Sequence, residues 1–132
     1  MRWMIPAGLV LIAVFCQAAQ QPRAERGTRQ IAIERSPRGE SSSFTPATIT
    51  VWAGDLVTWK NLTMEDHDPG VVNKDGSFVG FFAAPLKPGT MSQVFSPGAE
   101  LDKDNKQIPY TIPYLCKLHR GEQGTIQVVP TP

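Results

Sequence analysis

Histidine and cysteine are scarce in this chain of 132 residues, which contains two of each. No segment repeats apolar residues with a sustained helical period, and this excludes a helical bundle. The longest apolar run, residues 5–15, is shorter than the ~20 residues that a membrane-spanning helix needs. The formal net charge is only +1, so nothing in the composition points to nucleic-acid binding. The position of each histidine and cysteine is therefore informative.

The first nineteen residues have the composition of a secretory signal peptide. A basic start that contains Arg2 precedes the apolar run, and small residues follow Cys16. We therefore predict a signal peptide at residues 1–19 and a mature protein that is periplasmic or secreted and has no membrane span. A lipoprotein acylated at Cys16 and an uncleaved membrane anchor are the two alternatives. After cleavage the chain keeps one cysteine, which is either a metal ligand or a buried core residue.

The remaining chain is predicted to form a single all-β domain that follows a polar tether. Residues 20–43 form this tether, which is expected to be dispensable for a functional site except for a candidate first strand at 30–34. From residue 44 to 130, short runs rich in Thr, Val, Ile and aromatic residues alternate with Gly/Pro turns. Strands are predicted at residues 44–52, 56–60 and 90–95, and a charged, mobile insertion is predicted at 99–107. The candidate core aromatics are Phe44, Trp52, Trp59 and Phe95.

A thiol and an imidazole lie close together on one short loop. Cys116 and His119 are separated by two residues, between strand-like runs at 112–115 and 125–129. Thiolate with imidazole suits copper, and two histidines, one cysteine and a weak axial ligand form the blue-copper arrangement. The second imidazole would come from His67, on the long loop 62–76. Either histidine alone could simply be solvated, but the three scarce residues together predict a metal site.

The sequence around these residues resembles the cupredoxins, and within them the plastocyanin and amicyanin branch. The resemblance rests on FTPATITVWAGDLVTWKN at residues 44–61, the histidine that follows, Cys116-x-x-His119, and GTIQVV at residues 124–129. It implies a cupredoxin-like Greek-key β-sandwich that binds one copper ion through His67, Cys116 and His119. It also implies that Asn61 ties the ligand loops together by hydrogen bonds.

The chain departs from the amicyanin pattern at the axial position. Amicyanin-like proteins have methionine three residues after the second histidine, where this chain has Glu122. The plastocyanin spacing would instead place Gly124 there, and Gln123 is a further candidate, as in the glutamine-ligated stellacyanins. A carboxylate is a harder, anionic donor, which should favour Cu(II), lower the reduction potential and weaken the blue colour. Water, or no fourth ligand at all, also remains open.

Several nearby side chains have simpler interpretations. Glu122 could be a surface carboxylate paired with Arg120 or Lys117. Met64 and Met91 are soft donors, but both are expected to pack against the protein. The acidic residues beside His67 are either part of a solvated loop or an acidic rim that a basic partner recognises. These acidic residues are Glu65, Asp66 and Asp68.

The resemblance implies an electron carrier rather than an enzyme. We expect a monomer that exchanges one electron with a redox partner protein, such as a cytochrome or a copper oxidoreductase. One alternative is a copper centre with an open coordination position that acts on a small molecule, with the chemistry of the red copper protein nitrosocyanin. The others are a copper-carrying or copper-sensing module and a cupredoxin that binds no metal.

Overall fold

The computed structural model describes residues 27–132, and within them ten strands and no helix. The predicted signal peptide at 1–19 and the start of the tether lie outside the described residues. The strands are β1 (Thr28–Arg35), β2 (Ser42–Thr45), β3 (Thr48–Trp52), β4 (Leu56–Asn61), β5 (Pro69–Val72), β6 (Phe78–Gly80), β7 (Glu100–Leu101), β8 (Gln107–Ile108), β9 (Tyr110–Cys116) and β10 (Gln123–Val129).

Two main sheets form a β-sandwich, as the sequence predicts. The smaller sheet has the order β2-β1-β4, with β1 antiparallel to β2 and parallel to β4. The larger sheet has the order β3-β10-β9-β5-β6, with β3 parallel to β10 and the other pairs antiparallel. Strands β7 and β8 form a separate hairpin. Because many neighbours in a sheet are distant in sequence, sheet pairing brings remote segments to the same end of the sandwich.

The core lies between the two sheets and contains apolar residues from both. Strand β1 contributes Ile31 and Ile33, which are fully buried. Trp59 of β4 is also fully buried, and its ring packs against Phe81 and Tyr114 at centroid distances of 5.2 and 5.6 Å. Alternation along each strand explains this arrangement, because successive side chains point to opposite faces of a sheet.

One glycine allows strand β10 to approach the core aromatics. Gly124 pairs with Tyr114 of β9, and a Cβ atom at Gly124 would lie 2.4 Å from the Tyr114 hydroxyl oxygen. Only a residue without a side chain permits this contact. Gly124 therefore has a packing role: it leaves room for the ring of Tyr114, which lies two residues before Cys116.

Several local predictions are corrected by the structure. Residues 44–52 form two strands rather than one, because Pro46 has no N–H to donate to a ladder. The segment 90–95 is not a strand and makes only isolated bridges to β4. There the Ser92 hydroxyl, rather than a backbone carbonyl, accepts the Trp59 N–H. The insertion at 99–107 contains the ordered hairpin of β7 and β8.

The candidate first strand at 30–34 lies inside β1, which is longer than expected at both ends. Strand β2 begins at Ser42, within the range assigned to the tether. Of the predicted core aromatics, Phe44 and Trp59 are buried, whereas Trp52 and Phe95 are only partly buried. Among residues 27–132, no helix has the length and hydropathy needed to cross a membrane.

Candidate metal centre

Three of the four predicted ligand residues lie on the connection between β9 and β10. Cys116 is the last residue of β9, His119 lies in the turn that follows, and Glu122 directly precedes β10. The N–H of Cys116 donates to the carbonyl of Glu122 at 3.0 Å, which closes the loop. Gly121 permits this closure because its φ of 81° lies in the left-handed region. The loop therefore brings a thiol, an imidazole and a carboxylate together.

The fourth residue, His67, comes from the connection between β4 and β5. Its backbone pairs with Leu86 through hydrogen bonds of 3.1 and 2.7 Å. Strand β5 then pairs with β9 through Pro69 and Cys116, which places the loop beside the thiol. The sheet register thus brings His67 next to a residue that lies 49 positions further along the chain.

The ligand atoms of the four residues converge in one cluster. One atom each from His67, Cys116, His119 and Glu122 lies within 4.8 Å of all the others. The Cys116 sulfur lies 3.8 Å from Nδ1 of His67 and 3.4 Å from Nδ1 of His119. The carboxylate of Glu122 lies 2.8 Å from Nδ1 of His67 and 3.7 Å from Nδ1 of His119. The four residues therefore lie together, as expected for a shared site. That they bind a metal ion remains a prediction.

The cluster is largely closed to solvent. The His67 and Glu122 side chains are 0% exposed, whereas 28% of the His119 side chain is exposed. The interpretation of Glu122 as a surface carboxylate paired with Arg120 or Lys117 is therefore wrong. Its carboxylate accepts hydrogen bonds inside the protein, from the imidazole of His67 and the hydroxyl of Ser42.

The outward ring nitrogens of both histidines are also engaged. Thr63 Oγ1 donates to Asn61 Oδ1 at 2.8 Å, so it accepts the Nε2–H of His67 at 2.7 Å. The Nε2 of His119 lies 3.0 Å from a carboxylate oxygen of Glu65. These contacts place a hydrogen on Nε2 of each ring, so an Nδ1 atom that gives up its proton directs a lone pair at the cluster. Such outer hydrogen bonds orient histidine ligands in metal sites.

Asn61 joins the loops that carry these groups. It is fully buried, and its amide donates to the carbonyls of Glu65 and Leu86 at 2.7 and 3.0 Å. Its Oδ1 accepts the N–H of Thr63 at 2.9 Å. The tying role that the resemblance implies for Asn61 is thus visible in its contacts.

Protonation in the cluster follows from these contacts. Burial lowers the pKa of His67, but hydrogen bonds to Cys116 and Glu122 outweigh burial and raise that pKa to about 9. Burial raises the pKa of the Cys116 thiol, but hydrogen bonds from His67, from the N–H of Asp68 and from His119 lower it overall. Without metal, these contacts therefore favour a protonated His67 and lower the pKa of the Cys116 thiol beside it. A metal ion would replace the proton on His67 Nδ1, as ligand deprotonation on metal binding requires.

The residues present fit a metal ion. Ligand atoms that each lie about 2.0–2.3 Å from a tetrahedral metal are separated by roughly 3–4 Å, which matches the sulfur–nitrogen distances of 3.4 and 3.8 Å. A thiolate, two imidazoles and a carboxylate are donors that copper and zinc accept. The donor set and its spacing therefore support a single metal ion.

The other candidate ligands lie away from the cluster. Gln123 is exposed at the start of β10, and Gly124 offers no side chain. Met64 and Met91 were expected to pack, but they are 86% and 52% exposed. Met91 lies in the irregular segment 90–95, where its side chain lies outside the core.

The three acidic residues beside His67 do not form a uniform acidic rim. Glu65 contacts His119, and Asp66 forms an ion pair with Lys87 at 2.6 Å. Burial raises the pKa of Asp68, whose backbone N–H donates to the Cys116 sulfur at 3.4 Å. Glu65 and Asp66 therefore pair with different side chains, whereas Asp68 contacts the site through its backbone.

Two site residues were missed by the sequence analysis, Ser42 and Thr63. Thr63 follows Asn61 by two residues, a spacing at which an asparagine side chain often bonds the backbone N–H, so local turn chemistry could have identified it. Ser42 lies 80 residues before Glu122. No local signal in the sequence connects the two.

Comparisons with known proteins support the fold. No known protein-family model matches this chain, and no curated protein matches its sequence. A purple cupredoxin from Nitrosopumilus maritimus superposes with a TM-score of 0.57 at 20% identity, covering 75% of this chain and 97% of that chain. Amicyanin from Paracoccus versutus superposes with a TM-score of 0.55 at 16% identity, covering 83% of this chain and 86% of that chain.

A reduced variant of amicyanin gives a similar result, with a TM-score of 0.56 at 17% identity over 80% of this chain and 86% of that chain. Identities this low establish architecture alone. Together with the two-sheet sandwich and its strand order, these similarities show that the chain has the cupredoxin fold.

Proposed function

We propose that this chain binds one copper ion through His67, Cys116 and His119, with Glu122 as the fourth ligand. The observation that carries this proposal is the convergence of a thiol, two Nδ1 atoms and a carboxylate within 4.8 Å of one another. The structural comparisons favour copper over zinc, because an amicyanin variant with this fold was solved in its Cu(I) form. The site uses both histidines of the chain and one of its two cysteines.

The protein's contribution is to hold the ligands in place and to exclude water. A bound copper ion would supply one-electron chemistry, because it alternates between Cu(II) and Cu(I). The Asn61 network, the Thr63–His67 contact and the closed loop from Cys116 to Glu122 limit ligand movement. Ligands that stay in place when the charge changes keep the reorganisation cost of electron transfer low.

Glu122 is expected to lower the reduction potential. Its buried carboxylate brings a negative charge to the cluster, and an anionic oxygen compensates Cu(II) more than Cu(I). The interaction is strong because the side chain is fully buried and water screens it poorly. A copper centre of this kind should have a lower potential and a weaker blue absorption than a methionine-ligated one.

We infer that the protein is an exported, monomeric electron carrier and not an enzyme. His119 is the one proposed ligand of the four whose side chain is partly exposed, so we expect electrons to pass between the site and a partner through its exposed edge. The partner would be a redox protein such as a cytochrome or a copper oxidoreductase, met in the periplasm or outside the cell.

A second candidate function is a copper centre that reacts with a small molecule. It is favoured by a polar cavity of about 320 Å³ beside His119, with Ser42 and Arg120 among its lining residues. A small anion could reach the site through this cavity if Glu122 left the metal. The burial and hydrogen bonding of Glu122 support electron transfer as the leading proposal.

Absorption, EPR and voltammetry on the copper-loaded protein and three variants test the proposal. Cys116→Ser should abolish the thiolate-to-copper absorption. Glu122→Met should raise the potential and deepen the blue colour, and Glu122→Gln should fall between Met and wild type because it keeps the oxygen and loses the charge. If Cys116→Ser keeps the colour, the copper site is assigned wrongly. If adding azide changes the wild-type spectrum, the second candidate is favoured.

A further inference from the structure

The hairpin of β1 and β2 reaches the proposed metal site through one hydroxyl group. Ser42 pairs with Arg35 at the end of this hairpin. It lies on the same inward face of β2 as Phe44, whose ring packs on Tyr114 at 4.8 Å. Ser43, between them, is exposed. The strand therefore directs Ser42 towards the end of the sandwich where the ligand loop lies.

The two oxygens of the Glu122 carboxylate have different hydrogen-bond partners. The hydroxyl donates to Oε2, while Oε1 lies 2.8 Å from Nδ1 of His67. Nδ1 of His119 lies 3.7 Å from Oε2, which is longer than a hydrogen bond. A fully buried carboxylate oxygen without a donor is costly. Among the described residues, Ser42 is thus the group that satisfies Oε2.

We propose that Ser42 is a positioning residue that leaves Oε1 of Glu122 as the oxygen available to the metal. The proposal rests on the proposed function, because it assumes that Glu122 is a ligand. The hydroxyl keeps Oε2 engaged, so the carboxylate would bind a metal ion through one oxygen. It also draws negative charge away from the carboxylate, which moderates the preference of the site for Cu(II).

This role assigns a function to the hairpin. The first strand carries no ligand, but it pairs with β2 along four residue pairs and so fixes the position of Ser42. The ligand loop and the hairpin are therefore coupled through one charge-assisted hydrogen bond, a class of bond that is stronger than one between neutral groups.

The test compares copper-loaded Ser42→Ala and Ser42→Thr, with Ser43→Ala as the matched control. Ser42→Ala frees Oε2 and should lower the reduction potential, by an amount equivalent to about a tenfold change in the ratio of the Cu(II) and Cu(I) affinities. It should also alter the EPR hyperfine splitting. Ser42→Thr keeps the hydroxyl and should resemble wild type. Ser43→Ala makes the same chemical change on the exposed face and should have no effect.

A double-mutant cycle separates this proposal from the proposed function. If Ser42 acts through Glu122, the effect of Ser42→Ala should disappear in the Glu122→Met background, which has no carboxylate or amide oxygen for the hydroxyl to bond. The positioning role is overturned if the shift in potential persists in that background. It is also overturned if Glu122→Gln alone shifts the potential and Ser42→Ala alone does not. If neither substitution shifts the potential, Glu122 is not a ligand, and the fourth ligand of the proposed function is wrong as well.

Folding defects are controlled by a second pair of variants. Should Ser42→Ala yield little folded protein, Ser42→Val and Ser42→Thr replace it, because these side chains match in shape and differ in the hydroxyl. Equal potentials and EPR spectra for the Val and Thr variants would overturn the proposal. A lower potential for Val alone would support it.

Discussion

Removal of strand β1 is expected to unfold the protein, although the sequence around it has the composition of a tether. The comparison is between a truncated protein that starts at Gln30 and one that starts at Ser41. The longer protein keeps Ile31 and Ile33, whose side chains are 0% exposed in the fold. The shorter protein lacks both residues. It also keeps most of the pairing of β1 with its two neighbours.

The size of the effect follows from the burial of these two residues. Truncating a buried isoleucine to alanine costs about 2–5 kcal/mol, so losing both costs roughly 4–10 kcal/mol. The free energy of unfolding of a domain of this size is about 5–15 kcal/mol. The shorter protein additionally leaves β4 without its parallel partner and β2 without its antiparallel partner. We therefore expect the protein that starts at Ser41 to be largely unfolded and to lose the ordered ligand loop.

Guanidinium denaturation, followed by fluorescence and near-UV circular dichroism, measures this difference. Trp59 is a suitable probe because it is fully buried beside the strand. In the full chain, Ile33→Ala should lower the free energy of unfolding by about 2–5 kcal/mol. The control Leu101→Ala, at a residue that is 53% exposed, should have little effect. Equal denaturation midpoints for the two truncated proteins would refute the reasoning.

Three further predictions concern the site and the core. Copper at a hundred times its dissociation constant should stabilise the fold by about 2.7 kcal/mol, and identical melting curves with and without copper would argue against a preformed site. Glu65→Gln should raise the reduction potential, because it removes a negative charge 3.0 Å from Nε2 of His119. The control Asp66→Asn should change the potential less, because that carboxylate is paired with Lys87. Tyr114→Phe should keep or raise the free energy of unfolding by about 1 kcal/mol, since the buried hydroxyl lacks a partner among the described residues; a clear loss in urea denaturation would show that it has one.

The architecture was predictable because strand alternation and turns are local signals. Short β-rich runs between Gly and Pro residues correctly indicated an all-β sandwich. The same local pattern was misleading at residues 90–95, where apolar and polar residues alternate without a regular strand. Met91 and Val94 are 52% and 58% exposed there. Alternation alone could not reveal that the Ser92 hydroxyl accepts the Trp59 N–H in place of a backbone carbonyl.

The composition of the tether was misleading for the opposite reason. Charged and polar residues surround Ile31 and Ile33, so average polarity suggested an exposed segment. The segment nevertheless forms the central strand of its sheet. Its two isoleucines are buried in the core, and its backbone forms hydrogen bonds with β2 on one side and β4 on the other. The contribution of such a segment depends on which neighbours pair with it, and single-sequence composition does not contain that information.

The sequence by itself determined the types of donor and the local part of the site. Cys116, His119 and Glu122 lie within seven consecutive residues, so a single turn between two strands is enough to bring them together. Only the tertiary structure decided which other groups complete the cluster and how they are protonated. His67 reaches Cys116 through sheet pairing across 49 residues, and Ser42 reaches Glu122 across 80. Burial is likewise a property of the packed sheets, and it is burial that turns Glu122 from a surface charge into a candidate ligand.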